Sequence, residues 1–519
     1  QRVSGADPVY AMVRTGSGPA PWRAVVILAV SLVVCGCGQA PHEGLRFGVP
    51  VMPVTLDPRF ATDAVSVRIN RLLYQRLVDF DGSAMPRPEL ADWNRLSPNL
   101  YRFTLRGPRP GFSNGAPLTA RDVKATYDYI LDPRNASPHR LSLANIESIA
   151  VQGQDVVEFR LLRPDLLFPG RLGIGILPAD LIAAGHAFNR EPVGSGAFEF
   201  ADWAGEGRLR LRRRSDGLGL EFIAVNDPTV RVLKLLRGEI DMVQNDLPPE
   251  MIDYLKHQPG IAVQEVKGTN FAYLGFNLRD PATGTPAVRA AIASALDRAA
   301  IVRYVLGGAA HLASSVLPPE HWAGNPRLTP VPYDPERARR LLREAGYGPD
   351  HPLHLDYKTS TDPFRLRLAT IIQSQLDAVG VQVAIRSLDW GTFYGDIKAG
   401  NFQMYSLMWV GIKLPEIFRY AFHSSAVPPD GANRGRFASP TVDRLIEQAE
   451  AADSLEGQAK VYRAVQADLL EQLPYVPLWY EDHVFIARND IVGYRVSADG
   501  SYDGLVYVER RPPANIAAN

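Results

Sequence analysis

The segment YRFTLRGPRPGFSNGAPLTARDV, residues 101–123, contains three structural elements in a row. Alternating apolar residues at its start predict a β-strand. The triplet Ser113-Asn114-Gly115 predicts a tight turn, because Asn and Gly favour the backbone conformations of turns. Thr119 then stands where the N-cap of a helix is expected. The segment therefore predicts a strand, a turn and a helix.

Strands and helices alternate on both sides of this segment. Strand-like stretches occupy residues 99–106, 155–162, 207–214, 219–225, 261–266, 270–278, 353–359 and 381–388. Amphipathic helices with capping residues are predicted at 285–306, 334–346 and 454–473. This alternation, without an internal repeat, indicates a mixed α/β fold.

The composition is that of a large globular protein. The chain has 519 residues, of which 46% are apolar and 22% charged, and 56 basic residues balance 56 acidic ones. This length corresponds to about two to four domains. Because positive charge is not in excess, no nucleic-acid partner is expected.

The N-terminal region has the pattern of a secretory signal peptide. Residues 24–34, AVVILAVSLVV, form an uncharged apolar run that is preceded by Arg14 and Arg23. The run is too short for a membrane span, which needs about 20 residues. We therefore expect this region to be an export signal and exclude it from the fold.

Cys35 and Cys37 are the two cysteines of the sequence. A disulfide between them would close a strained loop with little entropic benefit, and a zinc site would need further ligands that no paired spacing supplies. The string VCGC at 34–37 resembles a bacterial lipobox, in which the last cysteine is acylated. We expect Cys37 to carry the lipid, residues 1–36 to be a lipoprotein signal peptide and residues 37–44 to be a tether.

Common catalytic motifs are missing from the sequence. It has no Gly-x-Ser-x-Gly elbow, no His-Glu-x-x-His pair and no phosphate loop ending in Gly-Lys-Ser/Thr. Ser195 lies in PVGSGAF, residues 192–198, where the adjacent glycines predict a tight backbone turn rather than a nucleophile. The histidines are scattered, so no metal site is predicted. An exported hydrolase is therefore disfavoured.

Several passages resemble, in the same order, motifs of the dipeptide-, oligopeptide- and nickel-binding proteins of ABC importers, which are solute-binding proteins of family 5. The stretch FSNGAPLTARDV at 112–123 is similar to a family phrase that follows a strand. The other matching passages are TLDP (55–58), YQRLVDFDG (74–82), PELADW (88–93), PVGSGAF (192–198), VLKLLRGEIDM (232–242), YLGFNL (273–278), PAVRAAIASALDRAAIV (286–302), YDPERARRLLREAGY (333–347) and IIQSQLDAVGVQV (371–383). The resemblance extends over residues 45–510.

The resemblance implies an α/β, two-lobed periplasmic-binding-protein-like fold, type II, of the large peptide-binding class. Lobe I would comprise residues 45–276, with an extra subdomain inserted at 85–185. Lobe II would comprise residues 277–474, and residues 475–519 would return to lobe I. Two crossing strands would act as the hinge on which the lobes close.

The resemblance also implies the receptor component of an ABC importer. Such a protein lies outside the cytoplasm, binds a peptide-like or other small organic solute between its lobes and delivers it to permease subunits in the membrane. We expect a lipid-anchored monomer without catalytic residues, cofactor or bound metal. The alternatives are a sensor or chaperone of the same fold, a binder of metal chelates and an exported hydrolase.

One departure from the family concerns the ligand. In peptide-binding members, a Trp-x-Gly-Asp segment supplies an aspartate to the free amino terminus of the ligand. The corresponding stretch here, MWVGIKLPEIF at 408–418, retains Trp409 and Gly411 but has Ile412 in place of the aspartate. This argues against ordinary peptides held by their amino end, unless Glu416 or another nearby acid replaces that carboxylate.

The remaining expected ligand contacts include two tryptophans and a turn. Trp390 and Trp409 offer aromatic faces for apolar contact and stacking. Asn433 and Arg434 stand in PPDGANRGRF, residues 428–437, a glycine-flanked turn that suits a carboxylate, hydroxyl or amide. We expect the ligand-binding set to be Trp390, Trp409, Val410, Gly411, Asn433 and Arg434.

Overall fold

The computed structural model describes residues 44–205 and 207–511. The predicted signal peptide and the predicted lipid site at Cys37 lie outside the described residues. Within the described ranges, no helix is both long and apolar enough to cross a membrane.

Helices and strands alternate as the sequence predicts. The helices of the described chain are α1 (Ala64–Leu73), α2 (Ala120–Leu131), α3 (Ala179–Ala183), α4 (Pro228–Leu236), α5 (Pro249–Lys256), α6 (Pro286–Ala295), α7 (Arg298–Tyr304), α8 (Pro335–Glu344), α9 (Pro363–Asp377), α10 (Trp390–Ala399), α11 (Ile417–Phe422), α12 (Pro440–Ala451) and α13 (Leu455–Gln472). Its strands are β1 (Gly44–Val49), β2 (Val78–Phe80), β3 (Pro86–Pro88), β4 (Ala91–Ser97), β5 (Leu100–Leu105), β6 (Ile146–Gln152), β7 (Val156–Leu161), β8 (Phe198–Asp202), β9 (Arg208–Arg213), β10 (Gly219–Ala224), β11 (Met242–Gln244), β12 (Ile261–Phe276), β13 (Ala310–Leu312), β14 (Leu353–Ser360), β15 (Val381–Leu388), β16 (Met404–Trp409), β17 (Tyr475–Arg488), β18 (Ile491–Val492) and β19 (Glu509–Arg510).

One large sheet runs through the molecule. Its strand order is β15-β14-β16-β12-β17-β11-β1-β10-β9-β8, and β13 pairs with β17 beside this path. Lobe I contains the strands on the β11 side of the crossing pair, where β1 is parallel to both β10 and β11. Lobe II contains the strands on the β16 side, where β14 is parallel to both β15 and β16.

The strands β12 and β17 connect the two lobes. They pair antiparallel along nearly the whole length of β12, in lobe I and again in lobe II. The register shifts between Val266 and Asn270, where β12 bulges. Because Phe271 already belongs to a lobe II core cluster, the crossover lies at this bulge. This core membership favours a crossover near Asn270, while the expected lobe boundaries at 276 and 474 stay predictions.

A second, antiparallel sheet forms a separate layer in the order β4-β5-β7-β6. It falls within 85–185, the range predicted for an inserted subdomain, and α2 packs on it through a shared core that includes Phe159. The backbone N–H of Thr119 donates to Asp122 Oδ2 at 2.7 Å, which caps α2. The turn before α2 has Gly115 in the left-handed region, with φ +87°.

The predicted helix 285–306 is divided into α6 and α7. The backbone is extended at Leu296, with ψ 114°, so α6 cannot continue. The carboxylate of Asp297 accepts a hydrogen bond from Ala300 N at 2.9 Å and caps α7. Arg298 donates to the carbonyl of Pro477 at 2.8 Å. The carboxylate of Asp297 thus begins a new helix by binding a backbone N–H, although the apolar pattern of the sequence continues through this position.

The PVGSGAF stretch forms a tight turn against the end of α1. Gly196 N donates to the carbonyl of Leu73 at 2.8 Å, and Ser113 N donates to the carbonyl of Gly194 at 2.9 Å. Ser195 is completely buried between these two glycines. A ligand therefore cannot reach its hydroxyl, which agrees with a structural role for the turn.

Candidate solute-binding cleft

The carboxyl ends of the strands of both lobes face each other at the crossover. β16 is antiparallel to β12, and its last residue, Trp409, lies opposite Phe271, next to the bulge. β11 is antiparallel to β17 and likewise runs toward the bulge from lobe I. In open α/β sheets, ligands bind outside the carboxyl ends of the strands. The region between these two sets of strand ends is therefore the candidate cleft.

Arg434 forms the centre of an aromatic cluster on the lobe II side. Its guanidinium lies 4.9 Å from the ring centre of Trp409 and 5.4 Å from that of Tyr394. Its Nη2 donates to the hydroxyl of Tyr394 and its Nη1 to the hydroxyl of Tyr273, both at 3.2 Å. Trp390 stacks on Tyr394, with ring centres 5.5 Å apart and planes 8° apart. The structure thus brings together Trp390, Trp409 and Arg434, three of the residues that the sequence predicts for the ligand-binding set.

The charge of Arg434 has only neutral partners within the described residues. The residue is 7% exposed. Burial raises the pKa of Tyr273 well above its ordinary value, so that hydroxyl is uncharged at neutral pH. Aromatic faces stabilise a cation, but a buried guanidinium without a carboxylate remains costly. The uncompensated positive charge of Arg434 therefore favours the binding of an anionic group.

The exposed parts of the predicted set lie around this cluster. Trp390 is 59% exposed and Val410 is 42% exposed, so both side chains are accessible to a solute. Gly411 has a left-handed backbone, with φ +69°, which a glycine adopts without strain. Whether these residues contact the solute stays a prediction.

Asn433 is buried inside the turn that contains Arg434. It is 1% exposed. Its Nδ2 donates to the carbonyls of His423 and Phe437, at 3.0 and 2.7 Å, and its Oδ1 accepts from Phe437 N at 2.9 Å. Because its side-chain amide is hydrogen-bonded within the loop, Asn433 shapes the turn that presents Arg434, and its contact with a ligand stays a prediction.

The segment after Trp409 contacts lobe I and its inserted subdomain. Glu416 forms an ion pair with Arg171, which also pairs with Asp165 at 2.7 Å. Glu416 is therefore already paired with an arginine of the protein, and a role for it in place of the missing aspartate stays untested. Ile412 packs against the lobe II core. Sequence reasoning missed the Arg171 contact, because nothing in the local pattern relates residues so distant in the chain.

Lys413 provides a second contact between the lobes. Its Nζ lies 2.8 Å from Asp499 Oδ2, in the C-terminal part of the chain that packs on lobe I. Burial opposes the ionised form of Asp499, but Lys413 and the hydroxyl of Ser497 lower its pKa well below the ordinary value. The carboxylate is thus charged and paired. This contact too could not be recognised from the sequence.

The sequence matches known relatives over nearly its whole length. The family description that matches, bacterial extracellular solute-binding proteins, family 5 Middle, covers residues 86–427. Di/tripeptide-binding protein 2 of Pseudomonas aeruginosa is 28% identical over 517 residues, which are 92% of this chain and 97% of that protein. Di/tripeptide-binding protein 4 of the same organism is 30% identical over 515 residues, 91% of this chain and 96% of that protein.

The fold agrees with solved structures. NikA from Brucella suis in complex with Fe(III)-EDTA has a TM-score of 0.82 and 22% identity, and the match covers 90% of this chain and all of that chain. The two-lobed α/β fold predicted from the sequence is confirmed. Taken with the matches of sequence, the fold and the cleft lead to one conclusion: the chain belongs to the bacterial extracellular solute-binding proteins, family 5.

Proposed function

We propose that the chain is the extracytoplasmic receptor of an ABC importer and that its cleft holds a small, peptide-like solute by the solute's carboxylate. Arg434 carries the proposal. It is a buried guanidinium at the carboxyl ends of the lobe II strands, and its described partners are neutral hydroxyls. A carboxylate of the solute would supply the missing counter-charge through charge-assisted hydrogen bonds.

Aromatic faces beside Arg434 suit the apolar part of such a solute. Trp409 borders the guanidinium and Trp390 is open to solvent. The two relatives described above are named for di- and tripeptides, and the NikA structure holds Fe(III)-EDTA. Peptides and EDTA share carboxylate groups, which are the groups that Arg434 would recognise.

A metal-chelate solute is the second candidate, because EDTA occupies the NikA structure. In the part of this chain that the structure describes, no three His, Cys, Asp or Glu side chains are grouped to hold a metal ion directly. A chelate would therefore be held through its organic ligand, by the same arginine. Free carboxylate groups are common to both candidates.

Solute binding would be coupled to closure of the lobes without a chemical step. Lys413 and Glu416 follow Trp409 directly in the chain and pair with Asp499 and Arg171 on the other side. A solute that draws Trp409 toward the cleft floor would favour these contacts and shift the population toward the closed state. No residue in this scheme acts as a catalyst.

The protein would work at the membrane surface. Lipid attachment at Cys37 would hold it there as a monomer, since two or more acyl chains anchor stably. Permease subunits would then receive the solute from the closed form. A sensor or chaperone of the same fold would bind the solute equally well, and transport assays with a neighbouring permease would distinguish these roles.

The experiment uses an equimolar mixture of dipeptides and tripeptides, and the same mixture after C-terminal amidation. Native mass spectrometry identifies the peptides that the purified protein retains, and calorimetry gives their affinities. We expect the free acids to bind at least about ten-fold more tightly than the amides, since a charge-assisted hydrogen bond contributes about 1.5–3 kcal/mol. Arg434→Gln should abolish this preference.

Arg434→Lys keeps the charge and should keep the preference, at lower affinity because a lysine cannot reproduce the planar fork. Arg343→Gln, at an exposed position of α8, is the matched control and should behave like the wild type. Thermal unfolding verifies that each variant is folded. Retention of no peptide by the wild type, or an unchanged preference in a folded Arg434→Gln variant, would contradict the proposal.

A further inference from the structure

The chain leaves β11 at the cleft floor through two successive residues with a left-handed backbone. Asn245 has φ 58° and Asp246 has φ 56°. Residues other than glycine seldom adopt this conformation, and Asn and Asp tolerate it best. Such strain persists only where the surroundings enforce it, and it concentrates at functional sites. The surrounding protein therefore holds the backbone of Asp246 in this conformation.

Two side chains enforce this conformation. The amide of Asn245 extends the sheet beyond β11: its Oδ1 accepts from Val484 N at 2.9 Å, and its Nδ2 lies 3.0 Å from His483 Nδ1. Arg231, which is 1% exposed, donates to the carbonyl of Val225 at 2.6 Å and to the carbonyl of Asp246. Arg231 thus ties the ends of β10 and β11 together.

The side chain of Asp246 remains free. The residue is exposed, and no described residue forms a hydrogen bond or an ion pair with its carboxylate. The charged groups that face it are Arg68 of α1, Arg231 of α4, Arg365 of α9 and Glu481 of β17. The surrounding protein raises the pKa of Asp246, against the opposing effect of these arginines. Solvent reaches the carboxylate, yet protein limits its hydration.

Most of the positive charge around Asp246 is already engaged. Arg365 pairs with Glu481, with Nη1 to Oε1 at 2.6 Å and Nη2 to Oε2 at 3.2 Å. Arg231 is directed at backbone carbonyls. Within the described chain, Arg68 has no ion-pair partner, and its guanidinium lies over the ring of Tyr502, 5.5 Å from its centre. Asp246 is thus a carboxylate presented into the cleft with no fixed counter-ion.

We propose that Asp246 accepts the protonated amino group of the bound solute. This inference rests on the proposed function, in which Arg434 holds the carboxylate of the same solute. The two groups belong to opposite lobes, because Asp246 follows β11 and Arg434 contacts Trp409 at the end of β16. A zwitterion therefore links lobe I to lobe II, whereas a solute without an amino group leaves Asp246 uncompensated.

The sheet gives the approximate length of this solute. Across the sheet, β16 and β11 are three strand spacings apart, or about 14 Å. Their ends are also offset along β17, because Trp409 lies level with Tyr480 and Gln244 with Phe485. This separation exceeds the length of one extended residue, about 3.5 Å, several-fold. A tripeptide therefore fits better than a single amino acid.

The test compares the tripeptide mixture with the same mixture after N-acetylation, which removes the amino charge and leaves the carboxylate. Native mass spectrometry and calorimetry are applied to the wild type, to Asp246→Asn and to Asp350→Asn. Asn is well tolerated at a left-handed position, so Asp246→Asn should fold, and thermal unfolding verifies this. Asp350 is an exposed acid in the turn after α8 and serves as the control.

We expect the wild type and Asp350→Asn to prefer free tripeptides over acetylated ones by at least ten-fold. Asp246→Asn should lose this preference, while it keeps the preference for free carboxylates over amides. If a folded Asp246→Asn variant retains the preference for free amines, or if the wild type has none, the inference fails although the proposed function stands. If the wild type retains no peptide at all, the proposed function fails and the inference fails with it.

Discussion

Replacing Gly196 with alanine perturbs the turn that holds α1 against the rest of lobe I. A Cβ atom at Gly196 would lie 2.5 Å from the carbonyl carbon of Leu73 and 2.7 Å from the backbone nitrogen of Tyr74. Non-bonded heavy atoms prefer separations of about 3.5–4.0 Å, so the backbone would have to move by about 1 Å. That movement would break the hydrogen bond from Gly196 N to the carbonyl of Leu73.

The magnitude follows from these two losses. Overpacking costs about 2–3 kcal/mol, and the lost hydrogen bond about 1 kcal/mol. We therefore expect Gly196→Ala to lower the free energy of unfolding by about 3–4 kcal/mol. If about 470 residues unfold together, each with an entropy of about 2.1 cal/mol/K, Tm falls by about 3–4 °C. Scanning calorimetry of the purified protein measures this shift.

The control is a glycine with free space around it. A Cβ atom at Gly395, in the exposed part of α10, would meet no atom within 4 Å. Gly395→Ala should stabilise the protein by about 0.5–1 kcal/mol, because alanine loses less backbone entropy in a helix. The two substitutions should thus change the free energy of unfolding in opposite directions. The argument from close contacts would be refuted if Gly196→Ala had the same Tm as the wild type, or if Tm fell equally in Gly196→Ala and Gly395→Ala.

Four further predictions concern the cleft and the anchor. Lys413→Gln should weaken solute binding about five-fold, because it removes about 1 kcal/mol from the closed state, and calorimetry at low and high salt should show a smaller salt effect than in the wild type. Since the pKa of Asp499 is depressed in the folded protein, its stabilising contribution should be complete above the pKa of an unfolded aspartate, about 3.9, and disappear as the pH falls further; pH-dependent unfolding tests this. Trp390→Ala removes an exposed indole and should change the free energy of unfolding by less than about 1 kcal/mol, while tripeptide affinity falls about ten-fold. Cys37→Ala should release the protein from membranes in a fractionation assay, whereas Cys35→Ala should not.

Local sequence patterns predicted the fold well where neighbouring residues determine it. The strand, turn and capped helix at 101–123 are all present, since their signals lie within a few residues of one another. The division of the predicted helix 285–306 into two helices depends on tertiary structure. The apolar pattern of 285–306 does not reveal that Asp297 turns its carboxylate onto the backbone, and an apolar run such as 270–278 has the same pattern on either side of a hinge.

The candidate site shows the same limit. Trp390, Trp409 and Arg434 were identified as aromatic and cationic residues near a turn, and the fold brings them together. Tyr394, which connects Trp390 to Arg434, carries no signal in the sequence beyond its aromatic ring. The sequence does not reveal that the side-chain amide of Asn433 is hydrogen-bonded to backbone groups of its own loop. A side chain's hydrogen-bond partners are tertiary information.

The replacement of the family aspartate by Ile412 changes how a charged solute would act on the two lobes. Ile412 packs against the lobe II core, so an acid there would belong to the same lobe as Arg434. Both charges of a zwitterion would then be held by lobe II, and closure would depend on other contacts. With Asp246 as the acceptor, each lobe holds one charge, and the two interactions exist together only when the lobes approach. Differential affinity for the closed state is what shifts a conformational equilibrium. In this arrangement, recognition of the two charges and closure of the cleft become a single event.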